Sequence, residues 1–163
     1  MKRELNIVVN GEHHNLWVEP KTLLVQVIRD ELGLKGTHQS CDSSSCAVCS
    51  VILDGKIVKS CSVLALQANG KEVITVEGLA DGSKLHPIQQ AFIDNWAFQC
   101  GFCTSGQIMA TKALLDENPK PTREEIQMVM DGHLCRCTGY NMIIEAIQDA
   151  SKRLQAQKSG KGA

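Results

Sequence analysis

The chain has 163 residues, 43% of them hydrophobic, and a formal net charge of −1. The hydrophobic share excludes wholesale disorder, and the lack of a basic excess argues against a nucleic-acid surface. The length suits one ordinary domain or two small ones, and small domains bury so little surface that metal or covalent staples help them.

The N-terminal half alternates. Leu5, Ile7 and Val9 fall on one face of a strand, Asn10-Gly11 supplies a turn, and Asn15 to Glu19 runs back as its partner. Thr22 is placed to cap a helix through about Leu32, with Leu23, Leu24, Val27, Ile28 and Leu32 on one face and Gly33 and Gly36 ending it. Residues 36–49 form a cysteine-rich loop. A strand over Ser50 to Leu53, a turn at Asp54-Gly55, a return through Ile57 and Val58, a short helical turn after Cys61 and a last strand over Glu72 to Val76 follow. This order predicts a small mixed sheet packed on a helix. Gly78 to Ser83 reads as a linker.

The C-terminal half carries helical patterns. Pro87 suits the first turn of a helix running to about Phe98. Thr104 to Glu117 is a second, stopped before Pro119 and Pro121. Thr122-Arg123-Glu124-Glu125 is a capping box opening a third, and Asn141 to about Gln157 a fourth. The fold class is therefore α+β: a ferredoxin-like sheet unit over 1–78, a four-helix bundle over 84–157, and a mobile tail over 158–163. No apolar run reaches the roughly 18 residues of a membrane helix. No apolar signal core follows Met1 to Leu5, so a cytoplasmic protein without membrane insertion is expected.

Eight cysteines without an export signal are the main anomaly, because cytosolic thiols stay reduced and clustered ones serve as metal ligands. They fall into two quartets. The first, Cys41, Cys46, Cys49 and Cys61, has the spacing Cys-x4-Cys-x2-Cys-x11-Cys, whose opening triplet is that of plant-type [2Fe–2S] proteins. Three cysteines on one loop wrap a cluster and a distant fourth closes the cage. The second, Cys100, Cys103, Cys135 and Cys137, reads Cys-x2-Cys-x31-Cys-x1-Cys, with each pair at a helix boundary whose amides favour a thiolate cluster. By spacing alone the second quartet also suits zinc or a structural disulfide pair.

Three stretches carry a resemblance. Cys41-Asp-Ser-Ser-Ser-Cys46-Ala-Val-Cys49 with Cys61, Gln99-Cys100-Gly-Phe-Cys103-Thr-Ser-Gly106, and Leu134-Cys135-Arg-Cys137-Thr-Gly-Tyr140 resemble the small iron–sulfur subunit of the xanthine oxidase family of molybdenum hydroxylases, over roughly residues 4 to 155. The resemblance implies an N-terminal β-grasp ferredoxin-like domain with the cluster nearer solvent, followed by the family's four-helix bundle. It implies a large partner subunit holding a molybdenum–pterin, as the cytosine dinucleotide, and a medium subunit with FAD, assembled as a dimer of heterotrimers. Gln99 and Cys137 would approach the pterin. Electrons would pass from the pterin to the second quartet's cluster, then to the first, then to flavin or an external acceptor. The family pattern has Gly where this chain has Ser40 and Ala47, and Pro where it has Ser105. Lost glycines near one cluster predict a loop with altered N–H···S geometry.

No residue reads as catalytic; the substrate site belongs to the large partner. The five histidines, His13, His14, His38, His86 and His133, read as structural or surface residues, and Trp96 and Tyr140 as core. Arg136 reads as a counter-charge to the second cluster. Gln99 has a rival reading as a buried amide satisfied by backbone. Rival functions are a free-standing ferredoxin-like carrier, a redox-sensing regulator and a zinc-binding interaction module.

Overall fold

The computed structural model describes residues 1–160. Its strands are β1 (Arg3–Val9), β2 (Glu12–Val18), β3 (Ser50–Leu53), β4 (Lys56–Lys59) and β5 (Glu72–Ile74), joined in one mixed sheet of order β2-β1-β5-β3-β4. The hairpin forms as the alternation predicts. β1 pairs antiparallel with β2 from Arg3↔Val18 to Val9↔Glu12, and the turn residues Asn10 and Gly11 both hold positive φ, 52° and 84°. That is the primed turn whose twist matches a hairpin. Leu5, Ile7 and Val9 are buried, with Val51 and Val73 beside them in one core.

The helix facing this sheet, α1, starts as α-helix at Leu24–Gln26 and widens into π turns over Val27–Glu31. Thr22 does not cap it. The cap position is Leu23, whose N–H is satisfied by Gln26 Oε1 at 2.8 Å. Leu23 is extended and bridges to Leu64, and the carbonyl of Thr22 beside it accepts from Ala65 N–H at 2.8 Å. Leu24, Val27 and Ile28 are buried as expected, while Leu23 and Leu32 are half-buried.

The C-terminal half holds α2 (Pro87–Asp94), α3 (Thr104–Glu117), α4 (Arg123–Met130) and α5 (Asn141–Gly160). α2 packs on α3 and α5, and α4 on the same two. Ile88, Phe92, Ile126, Met130, Ile143 and Ile147 fill their common core. α3 also lies against β3 and β4, so one helix is shared between the two halves.

α2 stops four residues short of the expected Phe98. Trp96 adopts φ 52°, its N–H donates to Ile93 O, and Ala97 N–H donates to Phe92 O. These two bonds make a Schellman stop. A tryptophan holds the position that glycine usually marks, so the sequence carries no stop signal there. Trp96 is 73% exposed, which overturns its reading as core. α5 continues through Gly160, past the expected end near Gln157. Residues 161–163 of the expected tail lie outside the described residues. Among the described residues, no helix is long and apolar enough to cross a membrane.

The stretch read as a linker is tied at its N-terminal end. It begins in a 3-10 turn, Val76–Leu79. Asn10 Oδ1 accepts from Thr75 N–H at 2.9 Å, Asn10 Nδ2 donates to Thr75 Oγ1 at 3.0 Å, and Glu77 Oε1 accepts from Gly36 N–H at 2.7 Å. Gly78 lies so close to Asn10 that a Cβ there would fall 2.1 Å from Asn10 Oδ1.

Candidate metal centres

The first quartet is built by a loop and the turn opposite it. Arg29, at the end of α1, donates to the carbonyls of Lys35 and Thr37 at 2.9 and 2.7 Å and holds the loop's entry. Cys46 and Cys49 are buried, and Cys41 and Cys61 are partly exposed. Cys61 sits on the 3-10 turn Ser60–Ser62 after β4. Ser60 fastens that turn to the loop by donating its N–H and hydroxyl to Cys49 O, at 3.2 and 2.7 Å. Ser44 and Ala47 each hold φ 57°, a left-handed conformation that costs a residue with a Cβ. Ala47 therefore keeps the geometry in which the family's glycine is at ease, whereas Ser40 is not among the positive-φ residues.

The second quartet is built by two helix entries. Cys103 stands at the N-terminal boundary of α3 without a side-chain cap bond, with Gly101 at φ 80° turning the chain into it. Ser105 stands in the first turn of that helix, where a proline would also be tolerated. Cys135 and Cys137 precede α5. Cys135 N–H donates to Tyr140 Oη at 2.7 Å, and that hydroxyl donates to His133 O at 3.1 Å. Tyr140 thus packs on the core and braces the Cys135 segment. Cys100 is exposed, as are Gln99 and Arg136 beside the quartet's cysteines. Gln99 is therefore not the buried amide of its rival reading.

In both quartets the thiols converge two by two. Cys100 Sγ lies 3.6 Å from Cys137 Sγ, and Cys135 Sγ lies 4.0 Å from Cys137 Sγ. The acidity of the Cys41 thiol is shifted by Cys46, and, after the effect of burial, that of Cys49 by Cys61 and that of Cys103 by Cys135. All eight are unbridged. Among the described residues, no group of three or more His, Cys, Asp or Glu is arranged to hold a single metal ion. A binuclear cluster makes no such demand, because each iron takes two protein thiolates. The hydroxyls of Thr104 and Ser105, next to Cys103, are shielded from solvent with no hydrogen-bond partner. Buried polar groups are costly unless partnered, and cluster sulfurs are acceptors of the right kind. The donor set fits [2Fe–2S].

The free thiols differ in acidity. The backbone amide and thiol of Cys46 bring Cys41 down to about 6. Burial works to raise Cys135, but the hydroxyl and amide of Thr138 outweigh it and bring the thiol to about 7. Burial pushes Cys49 up to about 11 and Cys103 up to about 12. Each quartet thus offers one thiol that ionises readily near neutrality, the form that binds a soft metal.

The two sites touch. Leu134 N–H, next to Cys135, donates to Cys46 O at 3.1 Å. His38 stacks on Phe102, with ring centroids 4.7 Å apart, and its Nδ1 donates to Phe102 O at 2.8 Å. Gly106 lets α3 approach the first loop so closely that a Cβ there would meet Ala47 O at 2.6 Å. The sequence does not mark Arg29, His38, Ser44 or Lys59 as site residues, because the partners that give them their roles are brought to them only by the fold.

Comparison with known proteins identifies the family. Residues 7–79 match the 2Fe-2S iron-sulfur cluster binding domain, and residues 75–148 match the [2Fe-2S] binding domain. The chain is 43% identical over 152 residues to the nicotinate dehydrogenase small FeS subunit of Eubacterium barkeri, across 93% of this chain and 97% of that one. It superposes on quinoline 2-oxidoreductase from Pseudomonas putida 86 with a TM-score of 0.91 at 39% identity, covering 95% of this chain and 97% of that one. Aldehyde oxidoreductase from Desulfovibrio desulfuricans ATCC 27774 gives a TM-score of 0.90 at 41% identity, across 94% of this chain but only 17% of that longer one. These matches define a [2Fe–2S] electron-transfer protein. The chain belongs to the small iron–sulfur subunits of the xanthine oxidase family of molybdenum hydroxylases, which are components of oxidoreductases.

Proposed function

We propose that this chain relays electrons between a molybdenum–pterin centre in a large partner subunit and a flavin subunit or external acceptor. Cys100, Cys103, Cys135 and Cys137 hold the [2Fe–2S] cluster nearer the partner, and Cys41, Cys46, Cys49 and Cys61 hold the one nearer the acceptor. When bound, the clusters supply one-electron redox chemistry; the chain supplies ligation, spacing and electrostatics.

The observation that carries this reading is the Leu134 N–H···O=C Cys46 bond. It joins the backbone of a first-site ligand to the residue preceding a second-site ligand. Two sites built by separate segments are thereby held at one fixed separation, as a relay requires and a pair of independent structural staples does not.

The surroundings of the second site support a large partner on that side. Trp96, Leu134, Phe102 and Met142, all close in sequence to its ligands, are 73%, 55%, 45% and 43% exposed. Scattered apolar residues are ordinary on a surface; we read these four, by their closeness in sequence to the second quartet, as part of a contact face. Gln99 is exposed beside Cys100, and the side-chain amide has both donors and an acceptor to offer a pterin. Gln99 and Cys137 are our assignments for that contact. A free-standing carrier has no use for such a face.

We also read the sheet order with α1 as a β-grasp and α2 to α5 as the family's bundle. From the family resemblance of the cysteine motifs we also propose a medium FAD subunit, a cytosine dinucleotide form of the pterin and a dimer of heterotrimers as the full assembly.

Iron and acid-labile sulfide analysis of the purified chain tests the reading. Two [2Fe–2S] clusters give about four irons and about four sulfides per chain. Zinc without sulfide overturns it in favour of an interaction module. Co-purification of a large molybdenum-containing chain is expected from the native source.

A further inference from the structure

We propose that the Ser44 hydroxyl donates a hydrogen bond to the Cys61 thiolate and holds the reduction potential of the first site above the value that glycine or alanine at this position gives. The inference rests on the reading of the first quartet as a cluster site and adds a tuning residue to it.

Ser44 Oγ lies 3.7 Å from Cys61 Sγ, within hydrogen-bonding reach of a sulfur acceptor. A cysteine that ligates iron is a thiolate with no proton to give, so the hydroxyl is the donor. Ser44 is not positioned by chance packing. Its φ of 57° is a conformation that glycine adopts freely and serine adopts at a cost. Its carbonyl accepts from Lys59 Nζ at 2.8 Å, and Lys59 ends β4, two residues before Cys61. Donor and ligand are therefore anchored to the same strand end. The neighbouring hydroxyls of Ser43 and Ser45 bond each other at 2.9 Å, which leaves Ser44 alone of the three serines to face the ligand.

The consequence follows from charge. Reduction places additional negative charge on the cluster and its thiolates. A donor aimed at one of those sulfurs stabilises the reduced form more than the oxidised form and so raises the potential.

The test is a redox titration of the full chain with its native cofactors, followed by EPR. Cys61→Ser identifies the first site's signal by changing its g values. Ser44→Ala removes only the hydroxyl, and Ser44→Gly removes the hydroxyl and relieves the positive φ. Both are expected to lower the first site's midpoint and leave the second site's wave in place. In deuterated solvent, the Fe–S(Cys) resonance Raman bands of the wild type should shift, and those of Ser44→Ala should shift less, by the part the hydroxyl contributes beside the exchanging backbone amides. An unmoved midpoint in both variants, with both signals present, overturns this assignment alone. A shift in Ser44→Gly without one in Ser44→Ala overturns it too, by placing the effect in the backbone. A wild-type chain that shows only the second site's signal overturns the cluster reading and this inference together.

Discussion

Gly106 lies in the first turns of α3, where a glycine costs helix stability relative to alanine. What offsets the cost is contact. The bare Cα lets the helix press on the first cysteine loop, with Ala47 O and Val48 O at positions that a Cβ would meet at 2.6 and 2.8 Å. Both obstructing atoms are backbone, so neither can swing away. Gly106→Ala is expected to destabilise the protein by about 1–3 kcal/mol, the usual range for overpacking, as measured by chemical denaturation. It should also alter the magnetic interaction between the clusters, read as a change in EPR line shape. At this scale the sequence was informative where chemistry is specific to residue type. Eight cysteines in two spacings are recognisable because few roles need them. Arg29, His38 and Ser44 were not legible, because arginine, histidine and serine serve many roles and their meaning lies in the partners found across the fold.

Elements were legible where the local signal decides the outcome. The capping box at Thr122 is present in full: Thr122 Oγ1 accepts from Glu125 N–H at 3.2 Å, and Glu125 Oε2 accepts from Thr122 N–H at 2.7 Å. Thr122→Ala should cost about 1 kcal/mol of stability, with the loss visible as faster amide exchange in α4. The start of α1 was misread because a long-range bridge between Leu23 and Leu64 outweighs the cap preference of Thr22. The end of α2 was misread because a Schellman stop formed around a tryptophan.

α2 also carries a pH dependence. His86 caps it through Nδ1, which accepts from Ile88 N–H at 3.3 Å and so must be unprotonated. Burial, aided by the Lys112 charge, holds the His86 pKa below its ordinary value. A folded state that disfavours the proton loses stability as pH falls below the unfolded value of about 6.5 toward the depressed folded one. Thermal melts from pH 7 to pH 5 should show a steeper decline for the wild type than for His86→Asn, which keeps a capping acceptor that does not titrate.

At the scale of the whole molecule, the two cores were legible as two composition zones, one alternating and one helical. Their joint was not. The stretch from Gly78 onward has the small polar residues of a connector, yet Asn10, Thr75, Glu77 and Gly36 knot its N-terminal end to the hairpin turn and to the entry of the first cysteine loop. Composition reports what a segment is made of and not what grips it. The shared helix α3 and the His38–Phe102 stack add to the joint. The two halves are therefore expected to melt together, with the loss of helical circular dichroism coinciding with the bleaching of cluster absorbance. His38→Ala should pull the two curves apart.

The direct packing of one half on the other has a consequence for the timing of electron flow. Many carriers deliver charge by swinging a tethered module between docking stations, and their pace then slows in thick solvent. Here α3, packed on β3 and β4, and the Leu134–Cys46 bond bind the two halves to each other directly and leave no arm to swing. Transit between the two sites should be pure tunnelling across a constant gap, so its rate should be unchanged when glycerol or sucrose makes the medium viscous.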